Sequence, residues 1–148
     1  MIAQGFRGVV AFTASDQIRT SAPRERVWAC LSDLRSYPRW WPSSLRVRAD
    51  SDGRSVLIHP RGGVAFECRV EGAEPPRSLR IRYPGPRVEG VGEWRLEADD
   101  DGTLVTYEVD VRVHVACARL LGRFVNFAGI HSRGMAEVLA GLRRDVEG

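Results

Sequence analysis

The sequence contains no lysine; all 22 of its basic residues are arginine. That absence removes whole mechanisms. No side chain is available to form a Schiff base with a carbonyl substrate or with pyridoxal phosphate. A P-loop is excluded too, since its lysine has no candidate. Asparagine occurs once, at Asn126, and Asn126-Phe127-Ala128 is not a glycosylation acceptor. The three cysteines, Cys30, Cys68 and Cys117, are too widely spaced for a metal knuckle, and their odd number argues against a disulfide framework. Reduced, partly buried thiols are expected. His59, His114 and His131 form no HxxxH or HExxH spacing, so no metal site is expected. There is no GxSxG nucleophile elbow. Gly85-Pro86-Arg87-Val88-Glu89-Gly90 lacks both the glycine fingerprint and the βαβ setting of a nucleotide-binding fold. Long apolar runs are missing as well. Val9-Val10-Ala11-Phe12 is too short for a signal-peptide core, Asp16 and Arg19 follow it, and no stretch approaches transmembrane length. The expectation is a soluble cytoplasmic protein with no cofactor and no stable membrane insertion.

What is present is ordinary globular material. Hydrophobic residues make up 43% and charged residues 28% of 148 positions, which suits one domain spanning residues 1–148. A chain of this size buries about 68–70% of its unfolded surface, enough for one core with an internal cavity. The pI near 9.1 raises nucleic acid or an anionic membrane as a partner. The arginines are dispersed, however. The longest run is Arg143-Arg144, and acids interleave, as in Glu67-Cys68-Arg69 and Glu93-Trp94-Arg95. Nucleic-acid recognition needs a concentrated basic face, so no nucleic-acid partner is expected.

Along the chain, a first strand is predicted from about Val9 to Thr20. A helix starts at Pro23, with Ser21 as a capping candidate and Val27, Leu31 and Leu34 on one face. Pro38 and Pro42 bracket a second short turn carrying Trp40 and Trp41. From Leu45 to Val113 the pattern alternates with period two, as in Leu79, Ile81 and Tyr83 against Arg80 and Arg82. Such alternation means one buried and one wet face of an antiparallel sheet. Asp52-Gly53, Gly62-Gly63, Pro75-Pro76 and Asp99-Asp100-Asp101-Gly102 punctuate the strands. The period then changes. Leu120, Phe124, Ala128, His131, Met135, Val138 and Leu142 form one stripe of a long helix. Gly122, Gly129, Gly134 and Gly141 would each weaken that helix in isolation by about 0.8–1 kcal/mol relative to alanine, so packing must hold it. An apolar helical stripe needs an apolar surface to cover, and a curved sheet supplies one. The expected fold is therefore α+β of the helix-grip type. A curved antiparallel β-sheet wraps a long C-terminal helix, and two short helices follow the first strand.

The segment Ile18-x-x-x-Ala22-Pro23-x-Glu25-x-Val27-Trp28-x-x-Leu31-x-Asp33-x-x-x-Tyr37-Pro38-x-Trp40 resembles the START-like superfamily, and within it the polyketide cyclase/dehydrase-type branch. The order of elements resembles it across nearly the whole chain. The resemblance implies a cavity between sheet and helix that holds a hydrophobic ligand. With that geometry, alternation places Phe66, Cys68, Leu79, Ile81, Tyr83, Trp94, Tyr107 and Val109 on the concave face. The helix adds Phe124, Ala128, His131 and Met135, and Trp28, Tyr37, Trp40 and Trp41 stand near the mouth. An aromatic lining with few polar groups suits a flat or greasy guest.

His131 interrupts an apolar stripe, so its burial requires a partner; it could orient a ligand carbonyl or move a proton. Tyr83 and Tyr107 offer phenols as donors. Arg69, Arg80, Arg82 and Arg95 point to solvent unless a β-bulge reverses them. Three functions stay open, because superfamily membership does not settle function. The first is binding of a lipid, quinone or polyketide-like molecule. The second is a cyclase, aromatase or dehydratase-like enzyme using His131, Tyr83 and Tyr107. The third is a protein-interaction module. Oligomeric state is not legible in the sequence.

Overall fold

The computed structural model describes residues 7–116 and 126–148. The chain runs β1 (Arg7–Thr20), α1 (Arg24–Ser32), a 3-10 turn (Leu34–Ser36), α2 (Tyr37–Trp40), β2 (Leu45–Ala49), β3 (Ser55–Pro60), β4 (Phe66–Glu74), β5 (Ser78–Pro84), β6 (Val88–Asp99), β7 (Gly102–Ala116) and α3 (Phe127–Glu147). The strands form one antiparallel sheet in the order β1-β7-β6-β5-β4-β3-β2. Five successive connections join neighbours; β1 alone pairs far along the chain, with Arg7 opposite Ala116 and Thr20 opposite Thr103.

Alternation decides what each face carries. Leu79, Ile81 and Tyr83 are buried while Arg80 and Arg82 are exposed. Trp94 and Leu96, then Val105, Tyr107, Val109 and Val111, continue the same inner face. A β-bulge shifts the register between Val70 and Gly72, yet β5 keeps its phase beyond it, and Arg80 and Arg82 stay outside. The outer face is laced with ion pairs: Arg69–Glu67 at 2.7 Å, Arg82–Glu71 at 2.5 Å, and Arg95 to Glu108. Exposed pairs of this kind contribute about 0–1 kcal/mol each, so the inner face carries the stability.

α3 supplies that face with its cover. Met135, Val138, Leu139, Leu142 and Val146 are buried along one side. Gly141 lets the helix cross α2 closely, since a β-carbon there would fall on the carbonyl oxygen of Trp40. The end of the helix is tied down by Glu147, whose carboxylate accepts from the Thr20 hydroxyl at 2.6 Å and the Ser21 amide at 3.2 Å.

Two boundary expectations change. α3 begins at Phe127, because the Asn126 side chain caps it by accepting from the Gly129 amide at 3.0 Å. The helical stripe therefore does not run unbroken from Leu120, and Leu120 and Phe124 lie outside the described residues. α1 begins at Arg24, with extended Pro23 as its cap residue and no side-chain cap from Ser21. The Ser21 amide is engaged by Glu147, and it is the Thr20 hydroxyl that accepts from the Ala22 amide, at 3.2 Å.

Candidate functional site

The concave face is built around two phenols. Tyr83 on β5 and Tyr107 on β7 point inward from strands separated by β6, and their hydroxyls hydrogen-bond to each other. They meet over Gly92 of β6, whose missing side chain leaves the space that the Tyr107 phenol fills. Trp94 packs against Tyr107 at 4.5 Å between ring centroids, and Phe66 tilts against Tyr83 at 6.1 Å. Burial pushes both phenols above the ordinary tyrosine range, so they stay protonated as donors. Burial also pushes the Cys68 thiol up to about 12, which makes it an inert wall rather than a nucleophile.

The opposite wall comes from the turns after α1. Tyr37 stacks on Trp41 with centroids 5.6 Å apart and meets Trp40 edge-on at 4.9 Å. The Tyr37 hydroxyl donates to the Leu31 carbonyl at 2.7 Å, and the Trp40 indole donates to the Ser36 hydroxyl at 3.1 Å. Those two polar handles serve the fold. The Trp41 indole nitrogen is enclosed, with no partner among the described residues.

Between the walls lies an enclosed space of about 30 Å³, bordered by Leu34, Trp41, Val56, Tyr83, Trp94 and Met135 among others. It holds about one water. Among the described residues, the space left between these rings is well below the size of a ligand. A larger hollow lies elsewhere. An open trough of about 710 Å³ crosses the outer face beside Glu71, Arg80, Glu108 and Asp110. Its charged, open walls leave a guest in water, so the concave side is the better candidate for an apolar molecule.

His131 stands beside this space, not at its border. Its ring is 6.3 Å from that of Tyr107, nearly parallel to it, and 5.6 Å from that of Phe12. Across from it is Asp16 of β1, with Oδ2 3.8 Å from Nδ1 and side chains 15% and 21% exposed for Asp16 and His131 respectively. Among the described residues, neither of those two atoms has a hydrogen-bond partner. An enclosed, unpartnered polar atom costs about 1–3 kcal/mol, which a fold retains for a reason. Burial lowers the His131 pKa, and the Asp16 carboxylate opposes that shift only in part. The imidazole is therefore neutral at pH 7 and able to accept a proton.

The structure thus gathers Tyr37, Trp41, Cys68, Ile81, Tyr83, Trp94, Tyr107 and Met135 around one space. Trp28 on α1 is half-buried and does not border it, and Trp40 is packed against its neighbours. Phe66 and Ala128 are half-buried and also off its border. Phe124 lies outside the described residues. Leu34, Val56 and Ile58 border the space without having been singled out, although each lies on an apolar face readable from spacing. Asp16 was the larger omission. Its signal was the alternation Phe12, Ala14, Asp16, Ile18, which puts a carboxylate on the inner side of β1. Among the described residues, no group of three or more His, Cys, Asp or Glu could hold a metal ion, and no helix is long and apolar enough to cross a membrane.

A curled antiparallel sheet gripping a C-terminal helix, with short helices after the first strand, defines a START-like helix-grip protein. Residues 11–147 match the family described as polyketide cyclase / dehydrase and lipid transport, and the chain belongs to that family. No curated protein matches it. Among solved structures, a START superfamily protein from Mycobacterium smegmatis is similar at 16% identity and a TM-score of 0.68, over 91% of this chain and 97% of that one. The Mll3558 protein from Rhizobium loti is similar at 17% identity and 0.70, over 93% and 99%. The di-domain ARO/CYC BexL of the BE-7585A biosynthetic pathway is similar at 20% identity and 0.68, over 93% of this chain and 50% of that one. At these identities the likeness is one of fold.

Proposed function

We propose that this protein, acting in the cytoplasm as one domain over residues 1–148, binds a small, flat, largely apolar molecule between the concave sheet face and α3. The observation that carries this reading is the set of unpartnered buried atoms, Asp16 Oδ2, Trp41 Nε1 and His131 Nδ1, on an otherwise apolar face. Trp41, Tyr83, Trp94, Tyr107 and Met135 are the walls. A guest of ordinary size needs about 300 Å³ or more, so uptake requires these rings to turn outward from the positions they hold here. Native mass spectrometry of the purified protein is expected to reveal a bound apolar compound, or saturable uptake of added 2-methylnaphthalene. Met135→Trp, which fills the remaining space, is expected to abolish uptake. A protein that carries nothing and takes up no apolar probe contradicts the reading.

A second reading is proton-transfer catalysis of the cyclase or dehydratase kind, with His131 as base and Tyr107 or Tyr83 as donor. It is favoured by one observation, the His131 imidazole held beside a carboxylate and a phenol ring, with burial favouring its neutral form. Full turnover by His131→Ala on an identified substrate excludes it. The interaction-module reading is disfavoured, because the outer-face arginines at positions 69, 82 and 95 are each paired with an acid and do not make one basic patch.

A further inference from the structure

Asp16 and His131 belong to the two ends of the chain, one on the first strand and one on the last helix. The gap between Oδ2 and Nδ1 is 3.8 Å, too long for a hydrogen bond, and neither atom has another partner among the described residues. An oxygen about 2.8 Å from each would span that gap. The chemistry of the two atoms narrows what that oxygen can be. A carboxylate only accepts. A neutral imidazole with its proton on Nδ1 donates there. With that tautomer the bridging group donates to Asp16 and accepts from His131, as a water or a ligand hydroxyl does. A ketone has no proton for Asp16. A carboxylate would set two negative charges side by side, and among the described residues Asp16 makes no ion pair with an arginine. The rings of Phe12 and Tyr107 flank the imidazole and offer aromatic walls.

We infer that Asp16 and His131 form a hydroxyl-binding subsite, and that the molecule taken up on the concave face is a phenol-type aromatic. This rests on the ligand-binding reading above. Asp16 is a specificity residue here, and its unpartnered carboxylate is kept at the expense of stability.

The test titrates the full chain at pH 7.5 with four probes of one shape: 2-naphthol, 2-methylnaphthalene, 2-naphthoate and 2-naphthylmethylamine. Binding is followed by tryptophan fluorescence and calorimetry. The expected order puts 2-naphthol at least tenfold tighter than 2-methylnaphthalene, with 2-naphthoate weakest. Asp16→Leu is expected to lose the tenfold preference, to bind 2-methylnaphthalene like the parent, and to unfold at a higher temperature. Asp16→Asn, which keeps the shape, is expected to shrink the preference as well and serves if the leucine variant fails to fold. Equal binding of 2-naphthol and 2-methylnaphthalene overturns the subsite and leaves the ligand-binding reading standing. Tightest binding of the amine or the naphthoate overturns the hydroxyl assignment. A lower unfolding temperature for Asp16→Leu with the preference intact makes Asp16 a structural residue and overturns the inference. If none of the four binds, both readings fall together.

Discussion

The hydroxyl of Tyr107 occupies the place where a side chain on Gly92 would stand. Gly92 lies between Ile81 and Val109 in the sheet, so its neighbours cannot retreat without disturbing two ladders. Gly92→Ala is expected to lower stability by about 1–3 kcal/mol, the usual cost of overpacking a tight core. It is also expected to part Tyr107 from Tyr83. Urea denaturation followed by near-UV circular dichroism measures both, and an unchanged midpoint contradicts the packing described.

Two glycines of α3 make a matched pair. Alanine at Gly141 gains helix propensity of about 1 kcal/mol but drives its β-carbon into the Trp40 carbonyl oxygen, which is backbone and cannot swing aside. Alanine at Gly134 meets only the Leu45 Cδ1 atom, at an ordinary 3.6 Å. Gly141→Ala is therefore expected to destabilise, and Gly134→Ala to stabilise by up to about 1 kcal/mol. Thermal unfolding of the two variants should shift in opposite directions.

Stability is expected to fall on the acid side. Asp145 makes a two-pronged pair with Arg39, with both contacts at 2.8 Å, and that pair holds its carboxyl below the usual range. A carboxyl lowered on folding stabilises above its unfolded pKa, and the contribution is lost as pH falls through the folded value. Asp50 and Glu147, lowered by the hydrogen bonds they accept, act in the same sense. His131 adds a step at higher pH. Its pKa is lowered by burial, so the unfolded chain gains the proton first, and stability drops as pH falls below about 6.5. Melting temperatures between pH 8 and pH 3 should decline throughout. Asp145→Asn is expected to flatten the acid limb, and His131→Phe the limb just below neutrality.

Burial raises the Cys30 thiol to about 12, with the Asp145 carboxylate beside it adding to the shift. Cys68 reaches about the same value by burial. In a Cys117→Ser background at pH 8, the folded protein is expected to leave both thiols unreacted with Ellman's reagent over minutes. Guanidinium should release both at once. Rapid reaction of either thiol in the folded protein contradicts the burial.

The sheet was legible because period two survives in the chain: Leu79, Ile81 and Tyr83 against Arg80 and Arg82 need no partner strand to be read. Their convergence with Trp94, Tyr107 and Met135 was implied by the resemblance to the START-like superfamily. The rest depended on distances. Trp28 and Trp41 look alike in sequence, but the chain turn at Asp33–Ser36 directs only Trp41 to the inner space. Asn126 ends the apparent helical stripe by a side-chain hydrogen bond that spacing does not register. Asp16 read only as a charge following a short apolar run, and its meaning appeared only once β1 was set beside β7, with Asp16 opposite Tyr107. Nor does alternation give the free volume left by four large rings.

The pairing of β1 with β7 has a kinetic consequence. β2 to β7 form a meander of neighbouring hairpins that local encounters can build, whereas β1 must close a loop of most of the chain before it is rewarded. α3 has the same dependence, since it packs on β1. The Asp16–His131 pair joins these two elements, so it depends on contacts that close long stretches of chain. A hydroxyl bound there would report that the first strand and the last helix have docked.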